Sequence, residues 1–364
     1  MTKVLVLWAD TRSANFGVQV LARGLAELAT RAWGPETVVE FQNYMPGDSP
    51  VSFTTRSIAR DFGRRNGPIK TKLREYDVIL DSGAGDSFTD IYGLKRHAFM
   101  VYASRSAARL GIPLAMGPQT IGPFTTAAGR RGGKYCLDRA SVVQSRDDVS
   151  AEYSATLGRP VDARATDVVF ALPRAEVPKS RDVVVNVSGL LWFSDRHGDS
   201  AGYRNSVRSL LGELRSAGRQ VSLLAHVVDA VSVDDDVAAV RALEAEFRSA
   251  LEVVVPRTLD EVRSTVGSAE WVVGARMHAC LNALSMGTPA IPWAYSRKFA
   301  PLMSDLGWDL SVDLAQEQNP GETTAQVITT RKGSDVGDQL KGVHDLAEER
   351  LEAAVASLQS VGAP

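Results

Sequence analysis

The feature that most constrains the fold of this chain is a repeated alternation of short apolar runs with longer amphipathic stretches. Apolar runs at residues 4–8, 76–80, 183–187 and 271–273 are each followed by a stretch with helical spacing of its apolar residues. Short apolar runs separated by helices are typical of parallel strands that are covered on both faces. The sequence therefore predicts an α/β protein built from doubly wound, Rossmann-like sheets.

A charged, proline-containing stretch divides this alternation into two halves. The segment ALPRAEVPKSRD, residues 171–182, disfavours a continued helix or strand. A chain of 364 residues is also longer than one average domain. We therefore expect two facing domains with an interdomain cleft. The predicted parts are an N-terminal Rossmann-like domain (1–172), a linker (173–182), a C-terminal Rossmann-like domain (183–330) and a C-terminal helix (331–364) that packs across the domains.

Composition limits the class of partner. The formal net charge is −2, so no overall field favours nucleic acid. The two cysteines, Cys136 and Cys280, are far apart, and His97 and His197 lack partners at metal-ligand spacing, so we expect neither a metal nor another cofactor. No apolar run approaches the length of a membrane span, and MTKVLVLWAD leads directly into a strand pattern. We expect a cytoplasmic protein.

Three cationic side chains follow predicted strands in the second half. The segment WVVGARMHACLNALSMGTPAIPWAYSRK, residues 271–298, has the pattern of strand, turn, helix, strand and loop. Arg276 and His278 lie at the start of the helix, and Lys298 follows the second strand. If these strands are neighbours, all three meet at one sheet edge, beside the positive end of the helix dipole. The arrangement predicts a site for a small, highly charged anion.

Each of these side chains also has an ordinary interpretation. Arg276 is then a partner in a surface ion pair, His278 a core histidine and Lys298 a solvated loop lysine. Their joint position at predicted strand ends favours the anion site.

The same segment resembles the C-terminal signature of the polysaccharide pyruvyl transferase family. It contains Arg-x-His, a helix of small residues, Gly-x-Pro and Tyr-x-x-Lys in that order. Three further segments resemble the family's other motifs: GPQTIGPF (117–124), VVQSRDDVSAEYSATLG (142–158) and TDVVFALP (166–173). Together these resemblances cover most of residues 1–310.

The resemblance implies a glycosyltransferase-B-like fold and a ketal pyruvyltransferase. Such an enzyme moves pyruvate from phosphoenolpyruvate, its co-substrate, onto two hydroxyls of a sugar as a cyclic ketal and releases phosphate. The acceptor would be a cell-surface polysaccharide or glycolipid precursor. By motif position His278 would be the catalytic acid/base, and Arg276 and Lys298 would bind phosphoenolpyruvate. The residue types fit, because a polyanion needs cations and protonation of its carbon 3 needs an acid with a pKa near neutrality.

A second histidine and an acidic run lie at the next strand end. His226 ends the predicted strand VSLLAH and is a candidate second site residue, or else it caps its own strand end. The run Asp234, Asp235 and Asp236 directly precedes a predicted helix, which favours helix capping over a metal-binding Asp-x-Asp motif.

The N-terminal domain is expected to hold the sugar. The loops ADTRSANFGVQVL (9–21) and DSGAGDSFTD (81–90) follow predicted strands, where ligands bind in such sheets, although plain tight turns are the alternative. The family usually has Asn-x-Gly-Asp in the first loop, and Val18 stands here in place of the Asp. The candidate acceptor-binding residues are Asp10, Asn15, Gly17, Asp86, Asp90 and Gln119.

A basic stretch, RSIARDFGRRNGPIKTKLR (56–74), indicates a further partner. It is either a mobile basic loop or a surface that contacts the inner face of a membrane or a lipid-linked acceptor that carries diphosphate, and the sequence leaves both interpretations open.

Two other functions compete with pyruvyl transfer. The first is a sugar-nucleotide-dependent glycosyltransferase of the same double-Rossmann fold, which commonly has an acidic residue that binds ribose. The second is a non-catalytic saccharide-binding protein. Arg276, His278 and Lys298 favour a compact anion and argue against both.

Overall fold

The chain forms two compact units. The computed structural model describes residues 1–228, 234–247, 251–296, 299–331 and 333–361. Unit 1 contains Met1–Ser13, Val18–Leu172 and Ala347–Pro364, and unit 2 contains Ala14–Gly17 and Pro173–Leu346.

Unit 1 is built around a parallel six-stranded sheet. Its strands are β1 (Lys3–Leu7), β2 (Val38–Gln42), β3 (Val78–Asp81), β4 (Leu114–Gln119), β5 (Val142–Ser145) and β6 (Ala163–Arg164), in the order β2-β1-β3-β4-β5-β6. Its helices are α1 (Phe16–Trp33), α2 (Thr55–Phe62), α3 (Pro68–Leu73), α4 (Leu94–Leu110), α5 (Ala127–Arg139) and α6 (Asp148–Thr156), followed by a 3-10 turn at Val168–Ala171.

Unit 2 has a second parallel sheet. Its strands are β7 (Arg181–Asn186), β8 (Val221–Leu224), β9 (Glu252–Val254), β10 (Ala269–Gly274), β11 (Ala290–Ala294) and β12 (Val312–Asp313), in the order β12-β11-β10-β7-β8-β9. Its helices are α7 (Gly189–Phe193), α8 (Ser200–Ser216), α9 (Asp236–Glu246), α10 (Leu259–Gly267), α11 (Met277–Ser285), α12 (Phe299–Asp305) and α13 (Pro320–Thr330), with 3-10 turns at Asp195–His197 and Gly333–Val336. The long α14 (Gly337–Gln359) is assigned to unit 2 as far as Leu346 and to unit 1 from Ala347.

The central strands explain the apolar runs in the sequence. In β1 the side chains of residues 4–7 are completely buried, and β10 is almost as deeply buried over residues 271–274. Strands with helices on both faces have no solvent side, so they lack the alternation of polar and apolar residues. The predicted α/β class with two doubly wound sheets is confirmed.

In each sheet the strand order reverses at one pair of neighbouring strands. The pair is β1 and β3 in unit 1, and β7 and β10 in unit 2. Open α/β sheets bind ligands outside the carboxyl ends of the strands at this point. The residues that follow Leu7, Asp81, Asn186 and Gly274 are therefore where ligand contacts are expected.

The basic stretch 56–74 forms α2 and α3 for most of its length, rather than a loop. Asp61 lies buried between these helices, where it accepts a hydrogen bond from the Tyr102 hydroxyl at 2.6 Å and lies 3.3 Å from Lys70 Nζ. Phe62 is 57% exposed on the outer surface. The exposed arginines nearby are Arg56, Arg60, Arg64 and Arg65. Contact of this surface with a membrane stays a prediction.

Within the described residues, no helix is both long enough and apolar enough to cross a bilayer.

Candidate functional site

The strongest candidate site lies where β7 and β10 end in unit 2. After β10 the chain turns at Gly274 and starts α11 with Arg276 as its N-cap residue, so His278 lies in the first turn of that helix. Asn186, the last residue of β7, accepts a hydrogen bond from the Arg276 backbone N–H at 3.0 Å through Oδ1. A side chain at Gly274 would crowd Asn186, with Cβ atoms 3.2 Å apart. The two strand ends are therefore held tightly together.

Arg276 is buried and bound to two carboxylates. Its Nη1 donates to Asp234 Oδ1 at 2.8 Å, and its Nη2 donates to the Asp234 carbonyl oxygen at 2.6 Å and to Asp236 Oδ1 at 2.7 Å. Its Nε also donates to Asp236 Oδ1, at 3.1 Å. This arrangement differs from the predicted use of the guanidinium for phosphoenolpyruvate, because its charge is already balanced within the protein. These contacts hold Asp234 and Asp236 against the start of α11, and the binding of phosphoenolpyruvate by Arg276 stays a prediction.

Asp236 is the centre of this network. It is completely buried, and it also accepts the backbone N–H groups of Gly189 at 2.8 Å, His226 at 3.0 Å and Val227 at 3.1 Å. Asp235 caps α9 by accepting the Val237 N–H, as the sequence predicted. Asp236 lies in the first turn of α9, and the carboxylates of Asp234 and Asp236 bind Arg276.

His278 is half-buried and lies against the segment Ala14–Gly17 of unit 2. A Cβ atom on Gly17 would lie 2.7 Å from His278 Nδ1, so only glycine allows this approach of backbone to imidazole. The Gly17 N–H donates to Asn15 Oδ1 at 2.9 Å, which holds the turn in place. Asn15 and Gly17, predicted as acceptor contacts, are thus close neighbours of the predicted acid/base.

His226 belongs to the same group of residues. It is 1% exposed, and its ring lies edge-on to Phe16 with ring centroids 5.8 Å apart. Its Nε2 makes no hydrogen bond to any described residue. Burial holds the pKa of His226 well below its ordinary value, and the electrostatic effects of His278 and Arg276 lower it further. His226 is therefore neutral at pH 7 and adds no positive charge beside His278.

Lys298, the third predicted cation, lies outside the described residues. No group of three or more His, Cys, Asp or Glu among the described residues has a geometry that would hold a metal ion.

The carboxyl edge of the sheet in unit 1 holds a second group of buried polar side chains. Gln119 ends β4, is completely buried, and makes no hydrogen bond through its amide to the described part of the chain. Asp81 ends β3 and accepts the Gly83 N–H at 2.7 Å. Burial raises the pKa of Asp81 to about 6, although the Gly83 N–H and the Trp8 indole both lower it. Trp8 follows β1 with a φ of 63°, a left-handed backbone that is rare for a bulky residue.

Asp81 was missed by the sequence analysis. It directly follows the predicted strand 76–80, so the rule about strand ends applied to it as strongly as to Asp86 and Asp90. A buried carboxyl with a raised pKa beside an unsatisfied amide is typical of functional sites.

Three of the predicted acceptor residues serve the loops themselves. Asp10 is 3% exposed and accepts the backbone N–H groups of Arg12 and Asp48, at 2.7 and 2.8 Å. Asp86 accepts the Tyr92 hydroxyl at 2.9 Å. Burial opposes ionisation of Asp90, but hydrogen bonds from Thr125 and Thr126 lower the pKa of Asp90 to about 2. The carboxylates of Asp10 and Asp90 are thereby committed to local structure.

Comparison with known proteins identifies the family. The family model described as polysaccharide pyruvyl transferase matches residues 15–297, which include the segment around His278 and most of both sheets. The chain belongs to the polysaccharide pyruvyl transferase family. This family member is 22% identical to AmsJ of Erwinia amylovora, an amylovoran biosynthesis protein, over 279 residues. The aligned region is 70% of this chain and 66% of AmsJ, so the chain spans about two thirds of that relative.

Solved structures share the fold of this pyruvyl transferase family member. UDP-GlcNAc 2-epimerase from Neisseria meningitidis superposes with a TM-score of 0.59 and 11% identity, over 96% of this chain and 99% of that one. HepE of Anabaena, in complex with UDP and glucose, gives a TM-score of 0.55 and 11% identity, over 99% and 98% of the two chains. The glycosyltransferase-B-like fold implied by the resemblance is therefore confirmed.

The raised pKa of Asp81 makes a prediction about the stability of this family member. The Asp81 carboxyl has its ordinary pKa of 3.8 in the unfolded chain and a pKa of about 6 in the folded chain. The free energy of unfolding therefore falls as the pH rises between these two values. Asp81→Asn removes the titration and keeps an oxygen for the Gly83 N–H. We expect the variant to gain stability over the wild type, on the order of 1–3 kcal/mol, between about pH 4 and about pH 8. Urea unfolding at both pH values measures this gain.

The opposite behaviour of Asp90 supplies the control for this experiment. Because hydrogen bonds hold its pKa low, Asp90→Asn should lose stability relative to the wild type as the pH rises from about 2 to about 5. A free energy of unfolding for Asp81→Asn that follows the wild type in parallel over the whole range would contradict the assigned ionisation of Asp81.

Proposed function

We propose that this protein is a ketal pyruvyltransferase that uses phosphoenolpyruvate as donor and a saccharide as acceptor. The observation that carries the proposal is the position of His278. It lies in the first turn of α11, where the strand order of the sheet in unit 2 reverses, and the backbone of Gly17 lies against its ring. The family match over residues 15–297 supports the reaction class.

The chemistry requires one group that both gives and takes a proton. Carbon 2 of phosphoenolpyruvate becomes electrophilic when a proton is added to carbon 3. One acceptor hydroxyl then adds to carbon 2, the bond to the phosphate oxygen breaks, and a second hydroxyl closes the ketal ring. Of the two hydroxyl protons, one replaces the proton delivered to carbon 3 and the other leaves with phosphate. His278 is the group that we assign to donate and recover the proton.

Anion binding would come from the N-terminus of α11 and from Lys298. The helix begins at Met277, so its first backbone N–H groups and the positive end of its dipole lie beside His278. Lys298 is assigned to the phosphate by the Tyr-x-x-Lys motif alone. Arg276 supports the site indirectly, because its ion pairs with Asp234 and Asp236 hold the turn from which α11 starts.

The proposal is tested by incubating the full chain with phosphoenolpyruvate and a panel of saccharide acceptors. Release of phosphate together with a pyruvate ketal on the sugar, identified by mass spectrometry, is the expected result. If UDP binds the protein and phosphoenolpyruvate does not, the glycosyltransferase alternative replaces the proposal. Binding of a saccharide with no reaction of either donor would favour a non-catalytic protein.

Gly17 gives a test of the same site through its backbone. The added methyl group in Gly17→Ala would push the imidazole of His278 out of position, since Cβ would lie 2.7 Å from Nδ1. Misplacement of a catalytic group by about 1 Å can cost about a hundredfold in rate, so we expect kcat for phosphate release to fall at least tenfold. The thermal midpoint should change little, because a single side chain can move aside.

A glycine on the surface of α8 is the matched control. A Cβ atom on Gly212 would meet no described atom within 4 Å, so Gly212→Ala should keep the wild-type kcat. Equal rates for the two variants would exclude close packing of Gly17 against a catalytic His278.

A further inference from the structure

A cavity of about 510 Å³ opens at the carboxyl edge of the sheet in unit 2, beside the ends of β11 and β12. Tyr295 directly follows β11, and Leu314 directly follows β12. The first turns of α8 and the start of α13 form the other walls. This volume is in the range of small-molecule sites, and the position obeys the rule that ligands bind at the carboxyl ends of parallel strands.

The lining of the cavity is suited to hydroxyl groups rather than to anions. Asn205, Ser206 and Gln318 offer amide and hydroxyl groups that both donate and accept hydrogen bonds. Three carboxylates lie beside them, and the described lining residues include neither Lys nor Arg. The hydroxyls of a neutral sugar would find both donors and acceptors in this lining, and the three carboxylates disfavour a phosphate or carboxylate ligand beside them. The three carboxylates belong to Asp199, Glu317 and Glu322.

Tyr295 supplies an apolar surface in the same cavity. Its ring is half-buried and packs edge-on against Phe299, with ring centroids 5.5 Å apart, and against His197, at 5.8 Å. An aromatic ring fixed in this way presents apolar area at little cost in conformational entropy. The combination of one ring with several neutral and acidic hydrogen-bonding groups matches a sugar ring, which has both apolar faces and hydroxyl edges.

Two walls of the cavity are formed by helices that are packed closely together. Asp199 caps α8 by accepting the Ala201 N–H at 2.9 Å, and Glu317 accepts the Asn319 N–H at 3.0 Å, just before α13. Gly321 brings α13 so close to α8 that a Cβ atom there would lie 2.7 Å from the Leu210 nitrogen. The packing of α8 against α13 therefore fixes the distance between these two walls.

The inner wall connects the cavity to the site around His278. Tyr203 lines the cavity, and its hydroxyl accepts the Ser188 N–H at 2.9 Å. The next residue, Gly189, donates its N–H to Asp236, the carboxylate that binds Arg276. One short backbone segment thus contacts both the cavity wall and the network behind α11.

We propose that this cavity binds a neutral sugar residue of the acceptor. The inference rests on the proposed pyruvyl transfer, and it places an acceptor contact in unit 2, whereas the sequence analysis placed the acceptor in the N-terminal domain. The sugar is held by its hydroxyls and by one face of its ring against Tyr295.

Binding is measured on the full chain without phosphoenolpyruvate, so that activity is not the readout. Methyl glycosides of galactose, glucose and N-acetylmannosamine serve as probes in saturation-transfer NMR. We expect transfer to at least one glycoside, and we expect Asn205→Trp, which fills the cavity, to abolish it. Gln326→Trp is the matched control, because Gln326 is exposed on α13 and does not line the cavity, and this variant should bind like the wild type.

Each outcome decides one of the two proposals. The cavity proposal fails if none of these glycosides shows transfer, or if Asn205→Trp binds them like the wild type while its thermal midpoint shows it to be folded. If the glycosides bind and Asn205→Trp abolishes binding, but phosphoenolpyruvate never yields phosphate, the cavity assignment stands and the proposed reaction fails. If both hold, Asn205→Trp should raise KM for the acceptor and leave KM for phosphoenolpyruvate unchanged.

Discussion

His278→Ala is expected to lower kcat for phosphate release from phosphoenolpyruvate and acceptor by about 10²–10⁴-fold, the range typical of a lost general acid or base. The reason is that His226, the neighbouring imidazole, is buried beside Phe16 and has a depressed pKa, so it is poorly placed to supply the missing proton. Steady-state phosphate release, with the thermal midpoint measured in parallel, gives the result. Binding of phosphoenolpyruvate should persist in the variant, because the start of α11 is unchanged.

A second histidine variant is the control that shows whether the loss of any histidine lowers the rate. His344 is half-buried on α14, and His344→Ala should keep the wild-type rate. Phosphate release by His278→Ala at the wild-type rate would remove this histidine from the mechanism.

The strands and helices around the site were predictable from local sequence. The strand predicted at 271–273 is β10 (Ala269–Gly274), and the helix predicted after the following turn is α11 (Met277–Ser285). These elements are specified locally, because a strand buried on both faces must be apolar throughout and Gly287 has a φ of 75° just after the helix. The position of His278 at a strand end followed from the same pattern.

The partners of Arg276 were not predictable in this way. Asp234 and Asp236 lie about forty residues earlier in the chain, after β8. They reach Arg276 because the sheet places β8 close to β10, with β7 as the one strand between them. Sequence spacing does not give the order of strands, so an arginine at a strand end is compatible with either a ligand or a buried ion pair. The same limit applies to Gln119, whose burial depends on how closely Gly83 packs over it.

The ion pair itself leads to the largest expected change in stability. Asp236→Ala would leave the buried Arg276 guanidinium with Asp234 as its one acidic partner among the described residues, and it would deprive three backbone N–H groups of their acceptor. Breaking a buried pair by removing one partner typically costs about 3–5 kcal/mol, which is a large part of the stability of most domains. We expect the urea midpoint of unfolding to fall accordingly, with the loss of tertiary structure followed by near-ultraviolet circular dichroism.

The neighbouring carboxylate separates this effect from helix capping. Asp235→Ala removes only the cap of α9, which is worth about 1 kcal/mol. If Asp236→Ala loses no more than Asp235→Ala, the network contributes little, and Arg276 would be free to bind an anion as the sequence suggested. Arg276→Met in the Asp236→Ala background should recover part of the loss, because it removes the charge that Asp236 neutralised. That recovery would show that Arg276 acts first as the partner of Asp236 and supports the site by fixing the turn before His278.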